Sequence, residues 1–328
     1  MKKLLSCIIL STILASIVNR AYEHYLRPDS LFFSNCLEAS KKWAYELRKK
    51  DEPCYVFAGG SEVRMSIEPS IMLDKYGVRA INAGVQAGNG IRGNAQTALS
   101  FLKKGDTLVL SYLPGSDAGI THTGIHFCYT TDESNTIKKE LIPYSFKNLS
   151  DLACGSTTNY CIHLMRILTR PHCIYRYTSA QNASITDSGR VEVFLNDEQN
   201  KSIISSCKKS VEPNMDGWEN LIYEIKEICK NRGVNFIMYM SRGHSHESYR
   251  YIHAKQTLYF TELGIPFIKD PYLGCWENSN KYSDTANHLS IEGGIEYSQF
   301  LANQLNNRQF WTKSELQQII ASFNKTNM

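Results

Sequence analysis

The 328-residue sequence has no long cluster of basic residues, and its longest uncharged run lies near the N-terminus. Its 36 Lys and Arg residues nearly balance its 32 Asp and Glu residues, which leaves a formal net charge of +4. Proteins that bind nucleic acid concentrate positive charge on one surface, so the sequence predicts no nucleic-acid partner. A hydrophobic share of 42% is typical of a folded chain and excludes a disordered one.

Metal-binding motifs are lacking as well. The chain contains no C-x-x-C motif, which disfavours a structural zinc site. His122 with His126 and His244 with His246 form two close pairs, but neither pair has a third ligand at a suitable spacing. We therefore predict that the protein binds no metal and uses no cofactor.

Cysteine, in contrast, is abundant, with ten residues. If Cys7 lies within an export signal, nine remain, so an exported form has at least one unpaired thiol. Cys54 and Cys229 lie in apolar strand and helix patterns and are predicted to belong to the core. Five others lie in the middle of the chain and could form disulfides there: Cys128, Cys154, Cys161, Cys173 and Cys207.

The uncharged run covers 4–18 and directly follows Lys2 and Lys3. Positive charge followed by about fifteen apolar residues is typical of an export signal. No good cleavage site follows, so we predict that residues 1–25 form an uncleaved signal-anchor in the membrane. The rest of the chain would then lie outside the cytoplasm, in the periplasm or at the cell surface. A buried N-terminal helix is the alternative interpretation.

Short apolar runs alternate with amphipathic segments on both sides of a long polar stretch. Predicted strands cover 54–58, 78–85, 107–113, 234–240 and 266–269, and predicted helices cover 37–50, 67–76, 91–104, 218–231, 248–263 and 291–305. This alternation predicts an α/β fold with a doubly wound, mainly parallel sheet. Residues 26–115 and 216–328 would form its two parts, and 116–215 would be an insertion or cap after the third strand, with one helix near 160–168.

Two short segments carry side chains suited to nucleophilic catalysis. Gly59-Gly60-Ser61 follows the first predicted strand, and His288 precedes the last predicted helix, with Asp284 just upstream. Ligand sites in parallel sheets lie beyond the carboxyl ends of the strands, so we expect these residues to meet there. A serine hydroxyl becomes a good nucleophile when an imidazole removes its proton, and a carboxylate orients that imidazole.

The motif around Ser61 is not G-x-S-x-G, because position 63 is Val, so an ordinary α/β-hydrolase is disfavoured. The order of serine early and aspartate and histidine together at the end resembles the SGNH (GDSL-like) hydrolase superfamily. Residues 82–84, Asn-Ala-Gly, are similar to its second block. The resemblance covers 54–114 and 216–305. Within it, 88–90 and 103–111 resemble membrane-anchored members associated with bacterial surface polysaccharides.

This resemblance implies a flavodoxin-like three-layer fold and a role for each site residue. Ser61 would be the nucleophile, His288 the base and Asp284 the acid that orients it. The backbone amides of Ser61 and Gly84 would bind the oxyanion, and Asn89 is the candidate for a further donor.

The sequence departs from the superfamily's pattern in two places. Three residues rather than two separate Asp284 from His288, which leaves Asp270, after the last predicted strand, as an alternative acid. The third block normally supplies an asparagine, but 111–117 contains none. Glu62 and Arg64, close to the serine, are expected at the rim of the site.

These features predict a serine esterase or O-acyltransferase acting on acyl groups, acetyl in particular, of an extracytoplasmic glycan. The missing third-block asparagine leaves an alternative, a catalytically weak or inactive protein that binds or scaffolds polysaccharide machinery. A doubly wound domain that binds a small ligand is the third hypothesis, and only the fold favours it.

Overall fold

A computed structural model describes residues 28–114, 118, 140–141, 183–193, 215–243, 249–283 and 285–326. Four strands form one parallel sheet in the order β2-β1-β3-β6. These strands are β1 (Tyr55–Ala58), β2 (Ala80–Asn82), β3 (Thr107–Tyr112) and β6 (Asn235–Met240). A separate antiparallel hairpin is formed by β4 (Ala183–Ile185) and β5 (Val191–Val193). The predicted α/β fold with a mainly parallel sheet is therefore confirmed.

Helices cover both faces of the sheet. They are α1 (Pro28–Leu47), α2 (Ser61–Ser66), α3 (Pro69–Tyr76), α4 (Gly90–Leu99), α5 (Trp218–Arg232), α6 (Arg250–Glu262), α7 (Ile291–Asn306) and α8 (Lys313–Thr326). One core packs α1, α4, α5, α6 and α8 against the sheet, and the other packs α2, α3 and α7 against its opposite face.

Alternate residues of each strand supply the two cores, because successive side chains of a strand point to opposite faces. In β1, Val56 belongs to the first core and Phe57 to the second. In β3, Leu108 and Val109 divide in the same way. A parallel sheet buried on both faces needs such continuous apolar runs, which is why these segments could be recognised in the sequence.

The predicted strand at 266–269 is wrong in its extent. Phe267 forms an isolated parallel bridge with Met238 of β6, and Ile268 forms an isolated bridge with Phe310. Pro266 has no N–H to donate, and Pro271 follows closely, so only a short stretch can pair with the sheet.

The predicted helix over 67–76 corresponds to α3, whereas helix α2 was not predicted. It starts at Ser61 itself, so the candidate nucleophile is the first residue of a helix. Helix α8 was not predicted at all. Its first turn is a capping box in which Glu315 accepts a hydrogen bond from the Thr312 amide at 3.0 Å.

Several predictions fall on residues outside the described ranges: the signal-anchor, the helix near 160–168, and most of the 116–215 insertion. Within the described ranges, no helix is both long and apolar enough to cross a membrane. The predicted burial of Cys54 and Cys229 is confirmed, and both are free thiols. Burial raises the pKa of Cys229 to about 12. Cys7 and the five cysteines of the middle segment lie outside the described residues.

Candidate active site

The turn that carries Ser61 is shaped by two glycines. Gly59 and Gly60 alone connect the end of β1 to the start of α2. A Cβ atom on Gly59 would lie 2.2 Å from a methyl carbon of Val63, and one on Gly60 would lie 2.9 Å from the backbone nitrogen of Ala87. A larger residue at either position would displace the nucleophile, so the turn requires glycine there.

Ser61 and His288 meet at the carboxyl end of the sheet. The Ser61 Oγ lies 2.8 Å from the His288 Nε2, although 227 positions separate the two residues in the sequence. A tight turn holds the histidine, since Tyr282 pairs with Leu289 and the Ser283 amide donates to the His288 carbonyl at 2.8 Å. The distance is that of a hydrogen bond through which an imidazole can remove a serine proton.

The acid that orients His288 is not defined by the described part of the chain. Asp284 lies outside it. Asp270, the alternative, is buried and its Oδ2 lies 3.2 Å from the Nε of Arg242. The Asp270 Oδ1 also accepts a hydrogen bond from the Tyr272 amide at 3.0 Å. These partners account for the Asp270 carboxylate, so Asp284 stays the predicted acid.

Arg242 is itself enclosed by aromatic rings. Its guanidinium carbon lies 4.5–5.3 Å from four ring centroids, those of Tyr272, Trp276, Tyr297 and Phe300. Cation–π contacts of this kind stabilise a buried guanidinium. The Asp270–Arg242 pair is therefore part of the scaffold that closes this side of the sheet.

The oxyanion donors assigned from the sequence differ in their availability. As the first residue of α2, Ser61 has an amide with no acceptor inside its helix. The Gly84 amide, by contrast, donates to the Oδ1 of Asn82 at 3.1 Å. This hydrogen bond contradicts the predicted role of Gly84 as an oxyanion donor, because its amide hydrogen is already bonded to Asn82 in the same turn.

Asn89 has an available donor. Its side chain is fully buried, and its Oδ1 accepts a hydrogen bond from the Nε2 of Gln86 at 3.0 Å. Its Nδ2 has no hydrogen-bond partner within the described ranges. Residues Ala87–Asn89 form a 3-10 turn, and Ala87 packs against Gly60, next to the nucleophile.

The prediction that Glu62 and Arg64 lie at the rim is wrong. Only 4% of Glu62 and 1% of Arg64 is exposed. Because α2 begins at Ser61, these residues turn inward beneath the serine. Arg64 donates to the Ser40 hydroxyl and to the Gly189 carbonyl, which joins the β4–β5 hairpin to α2. Burial lowers the pKa of Arg64 to about 10.

A buried polar group near the nucleophile was missed in the sequence. The hydroxyls of Ser111, at the end of β3, and Ser241, just after β6, are hydrogen-bonded to each other and buried. Tyr239 lies beside them, and burial raises the pKa of its hydroxyl. A serine that interrupts an apolar strand at its carboxyl end is the signal that could have identified Ser111.

Comparisons with known proteins do not assign this chain to a family. No family model matches it, and no curated protein matches it significantly. The functional inference therefore depends on the geometry of the site and on the sequence pattern.

Proposed function

We propose that the protein is a serine-dependent acyl-transfer enzyme, an esterase or an O-acyltransferase. The observation that carries this proposal is the 2.8 Å hydrogen bond between the Ser61 Oγ and the His288 Nε2, beyond the carboxyl ends of a parallel sheet. If Gly59-Gly60-Ser61 were only a tight turn, its structure would not need a histidine from 227 positions away beside the serine.

The proposed reaction proceeds through a covalent acyl-enzyme. The Ser61 Oγ attacks the ester carbonyl while the His288 Nε2 takes the hydroxyl proton. The tetrahedral intermediate collapses, its C–O bond to the alcohol breaks, and His288 returns the proton to the leaving oxygen. Water or a second hydroxyl group then attacks the acyl-enzyme by the same route. Asp284 would orient the imidazole.

The negative oxygen of the tetrahedral intermediate needs hydrogen-bond donors in place before the reaction. The Ser61 amide, at the start of α2, and the side-chain amide of Asn89 are the two donors that we propose. Asn89 would supply the contact that the missing third-block asparagine makes in the superfamily the sequence resembles.

For the substrate, we propose an acylated glycan outside the cytoplasm, with acetyl as the transferred group. This part depends on the sequence resemblance and on the apolar run at 4–18. Cell fractionation combined with protease access to the catalytic part tests the location. Full-length protein in the cytosolic fraction would contradict it.

A catalytically weak protein that binds polysaccharide machinery is the second candidate. The observation that favours it is the hydrogen bond from the Gly84 amide to Asn82, which removes one expected oxyanion donor. Loss of one such donor costs about a hundredfold in turnover.

Covalent labelling of the full-length protein with a fluorophosphonate separates the two candidates. An active serine enzyme is labelled at Ser61, and Ser61→Ala abolishes the labelling. Ser322→Ala, which removes an exposed hydroxyl on α8, is the control and should label normally. Folded wild-type protein that takes up no probe would refute the enzyme proposal and leave the binding function.

A further inference from the structure

The proposed mechanism does not use Glu62, the residue directly after the nucleophile. Its Oε1 accepts a hydrogen bond from the Gly60 amide at 2.9 Å, so the carboxyl group reaches back across the turn that carries Ser61. Glu62 is 4% exposed, which is unusual for a charged side chain. Buried carboxylates are normally paired with a cation, because burial of an unpaired charge is costly.

Glu62 differs in this respect from the other buried acids of the described ranges. Each of those acids faces a guanidinium: Asp106 faces Arg48 at 2.6 Å, Asp270 faces Arg242 at 3.2 Å and Glu68 faces Arg190 at 3.8 Å. No lysine or arginine of the described ranges forms an ion pair with Glu62. The buried carboxyl beneath the nucleophile is therefore the exception.

The groups that face Glu62 come from three neighbouring elements. Ser111 of β3, Tyr239 of β6 and His288 lie near enough to the Glu62 carboxyl group to interact with its charge. Among these three, His288 is the group that can become a cation. Burial raises the pKa of Glu62, while the Gly60 amide and the His288 imidazole act in the opposite direction. Among the described residues that act on Glu62, His288 is thus the one that can gain a positive charge, and it does so during catalysis.

We propose that Glu62 is a positioning residue that holds the Gly60 amide and stabilises the His288 imidazolium formed when Ser61 gives up its proton. This inference depends on the proposed function. Two different carboxyl groups would then act on the same imidazole, Asp284 by orienting it and Glu62 by its charge from beneath the nucleophile turn.

The burial of Glu62 makes the stability of the fold depend on pH, and the direction of this dependence follows from its pKa. The pKa of Glu62 is raised in the folded state, so the folded protein binds more protons than the unfolded chain above pH about 4.3. The contribution of Glu62 to stability therefore falls as the pH rises from that value to the folded-state pKa.

Glu62→Gln is the decisive variant, because glutamine keeps the shape and an acceptor for the Gly60 amide but removes the charge. We expect its fluorophosphonate labelling rate at pH 8 to fall roughly tenfold, since an opposite charge shifts proton affinity by about one to three pKa units. On the acid side of the pH–rate profile, the wild type should show two ionisations, those of Glu62 and His288, and the variant should show one. The melting temperature above pH 7 should be equal to or higher than that of the wild type.

A second measurement does not require any activity. NMR titration of the full-length protein should show that the His288 imidazole gains its proton at a lower pH in Glu62→Gln than in the wild type. Glu62→Asp keeps the charge and should retain two ionisations with a reduced rate, so it serves if the glutamine variant fails to fold.

Asp106→Asn is the matched control, because it neutralises a buried acid at the opposite end of the sheet. It should lower the melting temperature and leave the labelling rate of the folded protein unchanged. An unchanged rate profile and an unchanged His288 titration in Glu62→Gln would overturn the proposal. If Ser61→Ala still abolishes labelling in that case, the proposed function survives and only the role of Glu62 fails.

Discussion

Two buried acids at opposite ends of the sheet, Asp106 and Glu62, differ in how they are paired. At the amino end, Asp106 accepts hydrogen bonds from the amides of Cys54 and Lys103 at 2.8 and 2.7 Å and forms an ion pair with Arg48. At the carboxyl end, the Asn89 Nδ2 has no partner within the described ranges. Glu62 there accepts a hydrogen bond from the Gly60 amide, and no lysine or arginine of the described ranges forms an ion pair with it. Fully satisfied groups stabilise a fold, whereas incompletely satisfied ones are typical of functional sites.

This contrast predicts that the reactivity of Ser61 and the free energy of unfolding respond to different substitutions. Substitutions of Glu62 or Asn89 at the carboxyl end should change the reactivity of Ser61 and have little effect on the free energy of unfolding. Substitutions at the amino end should do the reverse. Asp106→Asn, which breaks a buried ion pair, should lower the free energy of unfolding by about 3 kcal/mol at neutral pH.

The largest effect is expected for His288, because its Nε2 is the only base within hydrogen-bond distance of Ser61 among the described residues. His288→Gln should lower the fluorophosphonate labelling rate by about a thousandfold or more. Stopped-flow or gel-based labelling measures the rate, and thermal unfolding checks that the variant is folded. A folded variant with the wild-type rate would exclude His288 as the base.

The next effect compares the two candidate acids. Asp284→Asn should lower the labelling rate by about a thousandfold, as expected when an imidazole loses its orienting carboxylate. Asp270→Asn should leave the rate of the folded protein nearly unchanged but destabilise it by about 3 kcal/mol, because Arg242 would stay buried without its partner. The reverse ranking of the two rates would transfer the catalytic role to Asp270.

A smaller effect is expected for Asn89. Asn89→Ala removes a buried donor whose Nδ2 has no partner within the described ranges, so it should lower the labelling rate by about a hundredfold. Stability should change little, because only the hydrogen bond to Gln86 is lost. Asn303→Ala, an exposed asparagine on α7, is the control. A wild-type rate in Asn89→Ala would remove Asn89 from the oxyanion site.

The sequence was sufficient for the four strands of the parallel sheet and for the pair Ser61 and His288. Parallel strands buried on both faces are continuous apolar runs, and their carboxyl ends are where glycine turns and polar residues concentrate. The burial of Glu62 could not be predicted, because it depends on α2, the short helix that begins at Ser61 and was not predicted. The direction of each side chain in a helix depends on its position along that helix. Without the start of α2, the direction of the Glu62 side chain could not be inferred.

The hydrogen bond from the Gly84 amide to Asn82 also could not be predicted from the sequence. The segment 82–84 matched the pattern of an oxyanion block, but the pattern does not specify where an amide points. Asn82 is fully buried, and its Nδ2 donates to the carbonyls of Val63, Arg64 and Ile67, which fixes its side chain at the end of α2. That fixed side chain places its Oδ1 where the Gly84 amide can reach it.

The smallest effect is expected on α8, where the half-buried acid Glu315 has its hydrogen-bond partners. Glu315 accepts hydrogen bonds from Thr312 and lies 2.6 Å from the Nζ of Lys269, and the pairing with Lys269 lowers its pKa to about 2. Because its folded-state pKa is depressed, Glu315 stabilises the fold above pH about 4.3, and this contribution is lost as the pH falls toward 2. Solvent screens the pair, so Glu315→Gln should cost less than about 1 kcal/mol at pH 7.

Urea unfolding at pH 7 and at pH 3 measures the difference between variant and wild type, which should shrink at the lower pH. A change in the labelling rate of Ser61 would contradict the separation of the site from this helix, because α8 supplies no residue to the site described above.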